Sequence, residues 1–469
     1  LSGPAPVIVW FRRDLRLSDH PALAAAVATG QPVLPLFIHD ETVETLGAAP
    51  RFRLGLSVGA LAADLAAQGS RLILRRGRAL DVLAALAAET GATAIHWSRY
   101  YAPDHIARDR AVKDWAAGAG IAARSYAGAL LHEPSRLLTG AGRPYSVFTP
   151  FRRRLAASDI EPPLPAPGRL QPPGDWPDGD RLDDWRMARA MNRAAEVVAA
   201  HLSVGEAAAR DRLGLFLQDR AGRYAEDRDR TDRDATSGLS ENLAWGEISP
   251  RQIWHLTTAL SGTGEKFLSE LAWRDFAWHL MAHFPDLASR SWRAGWDRFP
   301  WRADSDRAEA WRRGRTGVEL VDAGMRELYV TGRMHNRVRM VVASYLTKHL
   351  LTDWRIGLRW FQDCLVDWDP AANAMNWQWV AGSGPDAAPF FRIFNPDTQA
   401  ERFDPDGLYR RRWLAHAARP PAPDALSFFA AIPRSWRMDP ADPPPRPVEP
   451  LAAGRAQALA AFEALNTVM

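Results

Sequence analysis

Four short stretches of this sequence carry side chains able to do chemistry together. Glu270, Trp273 and Arg274 lie within five residues of one apolar-periodic segment. On a helix Glu270 and Trp273 share a face, and Arg274 lies four residues from Glu270. A carboxylate beside an indole can both hydrogen-bond and stack on a planar heterocycle. A surface ion pair next to a core Trp fits the same spacing equally well. The second stretch is His335-Asn336-Arg337-Val338-Arg339-Met340. Asn336 and Met340 share a helix face, an amide beside a soft thioether, which suits a partly apolar ligand. Arg337 could meet a phosphate, or the segment could be a helix start with solvated arginines. The third runs from Asp367-Trp368-Asp369-Pro370-Ala371-Ala372-Asn373 into Trp377-Gln378-Trp379. Ala371 and Ala372 let something bulky approach. A buried aspartate here needs a partner, for which Arg339 is a candidate. Asp367 and Asp369 lack a nearby His or Glu at ligand spacing, which argues against a metal. The fourth, Thr236-Ser237-Gly238-Leu239-Ser240, offers small hydroxyls and backbone N–H groups to a phosphate. Taken alone, it reads more readily as a helix N-cap without a ligand.

The elements that must position these groups fall into two kinds. In the first part of the chain, short apolar runs at 7–10, 33–38, 72–74 and 94–97, with a weaker one at 123–126, alternate with helical patterns at 21–28, 52–68, 80–90 and 108–119. Such alternation predicts a parallel sheet covered on both faces. Ligands of such sheets sit at the carboxyl ends of the strands. No GxGxxG follows the first strand, so an ordinary dinucleotide site there is not expected. A Pro- and Gly-rich stretch at 161–177 cannot continue a helix. From about residue 194 the pattern is mainly helical, with long periodic segments at 264–283, 317–331 and 335–351. A second Pro-rich stretch at 419–450 precedes a short Ala-rich helix. The fold class expected is α/β: an N-terminal Rossmann-like parallel-sheet domain at 1–130, an interdomain linker at 131–193, and a C-terminal all-helical domain at 194–469.

Composition narrows the partners. The 469 residues carry a formal charge of +4, which permits nucleic acid without demanding it. The chain has 20 Trp, whose large faces can stack on cofactors and bases, although many of them are simply core. Cys364 is the single cysteine, which excludes an intramolecular disulfide and an all-cysteine metal or iron–sulfur site. It is compatible with a reducing, cytoplasmic location. No apolar stretch reaches membrane-spanning length, and the first ten residues lack a signal-peptide pattern.

Taken together, these stretches resemble the photolyase/cryptochrome family over nearly the whole chain. Trp10-Phe11-Arg12-Arg13-Asp14-Leu15-Arg16-Leu17 is similar to that family's opening strand and turn. Thr236 to Ser240, with Gly246-Glu247-Ile248-Ser249-Pro250, is similar to its flavin phosphate loop. The stretch 332–396, with Asp353-Trp354-Arg355 and Phe391-Arg392-Ile393-Phe394-Asn395-Pro396, is similar to its core. The run from His132 to Leu137 and that from Asn373 to Trp377 resemble class III bacterial photolyases most.

The resemblance implies a helical domain that holds FAD and uses blue light to split cyclobutane pyrimidine dimers in DNA, a deoxyribodipyrimidine photo-lyase activity. Tyr224, Thr236, Ser237, Leu239, Ser240, Arg274, Arg339, Asp367, Asp369 and Asn373 match the family's flavin-contacting positions. Arg339 and Asp367 match an ion pair beside the isoalloxazine, and Asn373 the residue facing flavin N5. Trp377, Trp354 and Trp301 match its electron-transfer chain. Glu270, Trp273, Asn336, Met340 and Trp379 match the lesion pocket, with Glu270, Asn336, Met340 and Asn373 as the catalytic set. Arg337 and Arg392 match positions that meet DNA phosphates. The (6-4) enzymes carry a histidine pair where this chain has His335 and Asn336, and His where it has Met340, so (6-4) repair is disfavoured. An antenna chromophore is expected, methenyltetrahydrofolate ahead of a deazaflavin, although Ala102 stands where the better-known folate site has an acidic residue. UV-damaged DNA is the expected partner, the chain is expected to be a monomer, and no metal is expected. The competing reading is a cryptochrome-like photoreceptor without repair activity.

Overall fold

The computed structural model describes residues 4–260, 262–386 and 391–468. Five strands, β1 (Val7–Phe11), β2 (Val33–His39), β3 (Ile73–Arg76), β4 (Ala94–Ser98) and β5 (Ala122–Tyr126), form one parallel sheet in the order β3-β2-β1-β4-β5. All residues of β1 and β2 are buried, which explains why both read as continuous apolar runs. Helices α1 (Pro21–Val27), α2 (Ala48–Ala67), α3 (Ala79–Thr90) and α4 (Pro103–Gly118) cross over between strands. α4 begins five residues before the sequence pattern suggested, because Pro103 occupies its first turn, where a missing N–H costs nothing.

Helix α5 (Phe148–Ala156) interrupts the long connection that follows β5, and coil dominates from there to residue 181. The helices of the second part that bear on the site are α6 (Ser240–Trp245), α7 (Glu265–His283), α8 (Glu319–Thr331), α9 (Asn336–Ser344), α10 (Trp354–Cys364), α11 (Pro370–Ala381) and α12 (Leu451–Val468), among further helices such as Glu206–Asp219 and Pro250–Thr258. α12 is longer than the short helix expected. The segment 335–351 is not one α-helix. α9 ends at Ser344, and Tyr345–His349 form a π-helical turn in which Leu350 N bonds Tyr345 O at 3.0 Å. Thr347 Oγ1 donates back to Ala343 O and buried Lys348 Nζ to Ala381 O, side-chain bonds that accompany the widened turn.

The opening motif docks the sheet onto the helices. Arg16, 1% exposed, donates to the carbonyl oxygens of Ser18, Asp19, Gly128 and Gly246. Gly246 has φ +69°, and a Cβ there would lie 2.2 Å from Arg13 O, so only glycine fits at the end of α6. Arg53 of α2 is fully buried and bonds Glu247 at 2.7 Å and Glu241 at 3.2 Å. Glu241 also pairs with Arg212 (2.6 Å) and Arg333 (3.2 Å). A charge cluster this dry holds only because every member is paired.

Candidate active site

α9, α11 and the turn before α11 meet around Asp367. Arg339 Nη2 donates to Asp367 Oδ2 at 2.8 Å, and Arg339 Nε donates to Met334 O at 2.8 Å. The partner anticipated for Asp367 is therefore the one found. Asp367 is 5% exposed, yet its Oδ1 has no hydrogen-bond partner, nor does Arg274 Nε. Buried polar atoms are rarely left unpaired unless something else completes them. Asp369 is more fully engaged. It caps α11 through Ala372 N (2.9 Å) and accepts from Trp278 Nε1 (2.8 Å). Asn373 Nδ2 donates to Leu358 O at 3.1 Å, which turns the amide's acceptor oxygen the other way. Arg274 Nη1 donates to Ala129 O at 2.9 Å.

The loop before α6 is built for close approach. Gly238 has φ +64°, and its carbonyl accepts from Arg212 at 2.6 Å. Ser237 Oγ accepts from Leu239 N at 3.4 Å, Thr236 O accepts from Arg220, Leu239 is fully buried and Ser240 is exposed. Tyr224 stands edge-on to Phe216 and Phe267, and burial pushes its phenol up to about 12. A cofactor with a planar ring carrying both donors and acceptors, joined to a phosphate, fits this set. Asp367 Oδ1 can accept from a ring N–H, Arg274 Nε can donate to an oxygen, and the 236–240 loop offers hydroxyls.

The residues expected at the lesion pocket have mixed surroundings. Glu270 does not pair with Arg274. It forms ion pairs with Arg228 and with Lys266, the latter at 2.9 Å. Asn336 Nδ2 lies 3.9 Å from Met340 Sδ, as their helical spacing suggested. Arg337 is engaged by Asp229 at 2.5 Å and lies over the Phe403 ring, rather than standing free. Arg392 lies over the Trp379 ring at 5.5 Å. Trp273 stacks face to face with Phe148 of α5, centroids 3.6 Å apart and planes 10° apart. His335 caps α9 by accepting from Arg337 N at 3.2 Å, and burial lowers its imidazole to about 4.

Of the three tryptophans expected to form a relay, two are buried and the third lies nearer the surface. Trp377 is 2% exposed, Trp354 fully buried and Trp301 half-buried. Trp377 lies flat against Gly357, one helical turn beyond Trp354 on α10. The bridge between Arg302 and Thr352 brings Trp301 alongside the start of α10. Trp301 in turn stacks with Trp296, centroids 6.3 Å apart.

Sequence reasoning missed Arg228, Lys266, Phe148 and Trp278. Lys266 was readable as the residue four before Glu270. Phe148 belongs to an aromatic series at 145, 148 and 151 that matches 273, 276 and 279. Among the described residues, no cluster of three or more His, Cys, Asp or Glu could hold a metal, and no helix is long and apolar enough to cross a membrane.

A parallel-sheet domain joined to a helical domain with an unsatisfied polar cradle defines a two-domain cofactor-binding class. The family is given by likeness. Residues 7–168 match the DNA photolyase family model, and residues 267–464 match the FAD binding domain of DNA photolyase. A deoxyribodipyrimidine photo-lyase of Agrobacterium fabrum is 49% identical over 417 residues, 87% of each chain. The crystal structure of a bacterial class III photolyase from Agrobacterium tumefaciens superposes with a TM-score of 0.89 at 44% identity, covering 99% of this chain and 98% of that one. An archaeal photolyase from Sulfolobus tokodaii, crystallised with two FAD molecules, superposes at 0.80 with 28% identity, covering 98% of this chain and 100% of that one. The chain belongs to the photolyase/cryptochrome family.

Proposed function

We propose that this chain is an FAD-dependent enzyme that splits cyclobutane pyrimidine dimers in DNA under blue light. The observation that carries the reading is the Arg339–Asp367 pair, with Asp367 Oδ1 buried and unpartnered, in a helical domain whose α7, α9 and α11 carry Glu270, Trp273, Asn336, Met340 and Trp379. Arg274, Arg339, Asp367 and Asn373 would hold the flavin ring; Asp369 would support them by fixing the start of α11. Tyr224, Thr236, Ser237, Leu239 and Ser240 would hold its phosphates. The chemistry such a cofactor supplies is donation of one electron on absorbing light, with the electron recovered once the ring has opened.

The protein's part is binding, orientation and electrostatics. Extruding a damaged dinucleotide costs a few kcal/mol, less than for intact DNA because the lesion already stacks poorly, and this contributes selectivity. Trp273 and Trp379 would wall the dimer, and Asn336 and Met340 would line it. Glu270 would hydrogen-bond the bases. Arg228 and Lys266 hold its carboxylate at the rim, so an incoming base competes for an oriented acceptor. Arg337 and Arg392 would meet phosphates, with Arg337 exchanging or sharing Asp229. Trp377, Trp354 and Trp301 would carry charge between the site and solvent. The complete lesion set, with Asn373 and Met340, favours repair over a photoreceptor without it.

An antenna chromophore would sit in the cleft at the carboxyl ends of β1 and β2, lined by Arg13, Ile38, Asp40, Ala102, Asp104 and Trp368. This is where a parallel sheet offers a ligand site. Methenyltetrahydrofolate is favoured over a deazaflavin, and a reducing, cytoplasmic location fits the single buried thiol.

The test is direct. Purified protein is reduced anaerobically, mixed with an oligonucleotide carrying one cyclobutane thymine dimer and illuminated with blue light. Thymine absorbance should recover in the light and not in a dark control. No recovery with FAD bound and reduced would refute the repair reading.

A further inference from the structure

The connection between the two domains enters the lesion rim. Tyr145, Phe148 and Phe151, spaced by three, meet Trp273, Phe276 and His279 of α7, also spaced by three. Phe151 packs on Phe276 (5.1 Å) and His279 (5.2 Å), and Tyr145 N donates to His279 Nε2 at 2.9 Å. These contacts lock α5 to α7 on both sides of Phe148. Asp386, in the turn after the Trp379 helix, faces the Phe148 backbone N–H. Phe148 itself is 8% exposed and lies parallel to Trp273, 3.6 Å away.

An indole has two faces, and this contact uses one of them. The ring cannot tilt about its side-chain torsions without leaving Phe148, and Phe276 stands edge-on to it at 5.8 Å. Rotating the indole out of this parallel contact would give up the close packing of the two ring faces. A wall that must stack on an extruded base pair benefits from having its plane fixed beforehand, because ordering it on binding would weaken affinity. We propose that Phe148 is a positioning residue for lesion recognition, holding the Trp273 plane from behind so that the opposite face meets the dimer. The interdomain connection is thus a structural half of the lesion pocket rather than a spacer. The proposal rests on the reading of Trp273 as a lesion wall.

The experiment measures binding of the flavin-loaded full chain to two oligonucleotides, one with a single thymine dimer and one undamaged. Phe148→Leu keeps apolar volume and removes the flat ring; Phe148→Tyr restores the ring; Trp273→Ala removes the wall. Flavin content and melting temperature are recorded for each. Should Phe148→Leu lose flavin, Phe148→Met takes its place. Losing one aromatic pair should weaken dimer binding about 5-fold, with undamaged binding unchanged and Phe148→Tyr close to the parent. A purely structural role would lower both affinities together, and that result overturns the proposal. So does an unchanged dimer affinity in Phe148→Leu when Trp273→Ala weakens it. If Trp273→Ala is itself neutral, the wall reading fails and the proposal fails with it.

Discussion

Gly357→Ala adds one methyl group at the point where α10 meets Trp377, the first tryptophan of the proposed relay. A Cβ there would lie 2.1 Å from Trp377 Cη2, 2.5 Å from Cζ3 and 2.7 Å from Cζ2. Ordinary contact begins near 3.4 Å, so the indole must retreat by about 1.3 Å or the helices must part. On an open helix the same substitution would stabilise by about 0.5–1 kcal/mol, because glycine loses more backbone freedom on folding. Overpacking a closed core costs about 1–3 kcal/mol. The net expectation is a loss of roughly 1–2 kcal/mol, so the sign separates the two situations. Two assays read it. The apparent melting temperature should fall, and photoreduction of the bound flavin by an external donor should slow, as it should in Trp354→Phe. Dimer repair by protein already reduced chemically should persist in both variants, because the proposed relay would serve reduction and not the repair step. A Gly357→Ala variant that melts higher than the parent and photoreduces normally would refute both the Trp377 packing and the route through α10.

Glu270→Gln keeps a hydrogen-bonding group but removes the charge that Arg228 and Lys266 orient; repair yield per bound dimer should fall about 5- to 30-fold, the equivalent of 1–2 kcal/mol, with lesion binding changed less. Equal yield under single-turnover illumination would remove Glu270 from the catalytic set. Arg339→Met leaves Asp367 buried without its cation, a change that costs about 3–5 kcal/mol in dry sites and less here because Arg339 is a quarter exposed. The purified variant should lose most of its flavin absorbance, and full occupancy would contradict the assigned pair. Burial lowers His105, His279, His335 and His349 to about 4. The unfolded chain takes up these protons near pH 6.5 and the folded chain only near 4, so stability present above 6.5 should drain away as pH falls through that window. Burial raises Asp275 to about 7, which works in the opposite direction, costing stability as pH rises from about 4 toward 7. Melts between pH 8 and pH 4 should show the histidine effect winning, and Asp275→Asn should steepen the acid loss.

What was legible in the sequence follows from the range of the interactions. β1 and β2 could be read because both faces are buried and local composition records that directly. The Asn336–Met340 contact could be read because helical spacing enforces it. For the Arg339–Asp367 pair, 28 residues apart, chemical need named Arg339 only as a candidate, and the family resemblance supplied the pairing. The partners of Glu270 and Arg337 were not legible in that way. Asp229 is 108 residues from Arg337, and nothing in either local pattern says that they meet. The π-helical turn after Ser344 also escaped, since apolar periodicity continues smoothly through it while Lys348 and Thr347 bond outside the regular ladder.

The opening motif shows why recognising a pattern differs from knowing what it does. Trp10 to Leu17 marks the family, and four charged side chains in eight residues suggest a ligand site. Most of that charge is instead consumed inside the protein. Arg12 bonds Asp109 at 2.6 Å, Asp14 pairs with His20 at 2.9 Å, and Arg16 is spent on four carbonyl oxygens. Arg13 reaches across the domain boundary, as Arg16 does to Gly246 O, but packs on aromatic rings. It lies over Tyr100, Trp245 and Trp368 while donating to Ala244 O and Trp368 O. Trp368 sits between Asp367 and Asp369, the two carboxylates nearest the proposed flavin ring. The same arginine lines the cleft at the ends of β1 and β2. One side chain therefore joins the proposed antenna cleft to the turn before α11, and the rest of the motif's charge is spent on holding the fold around it.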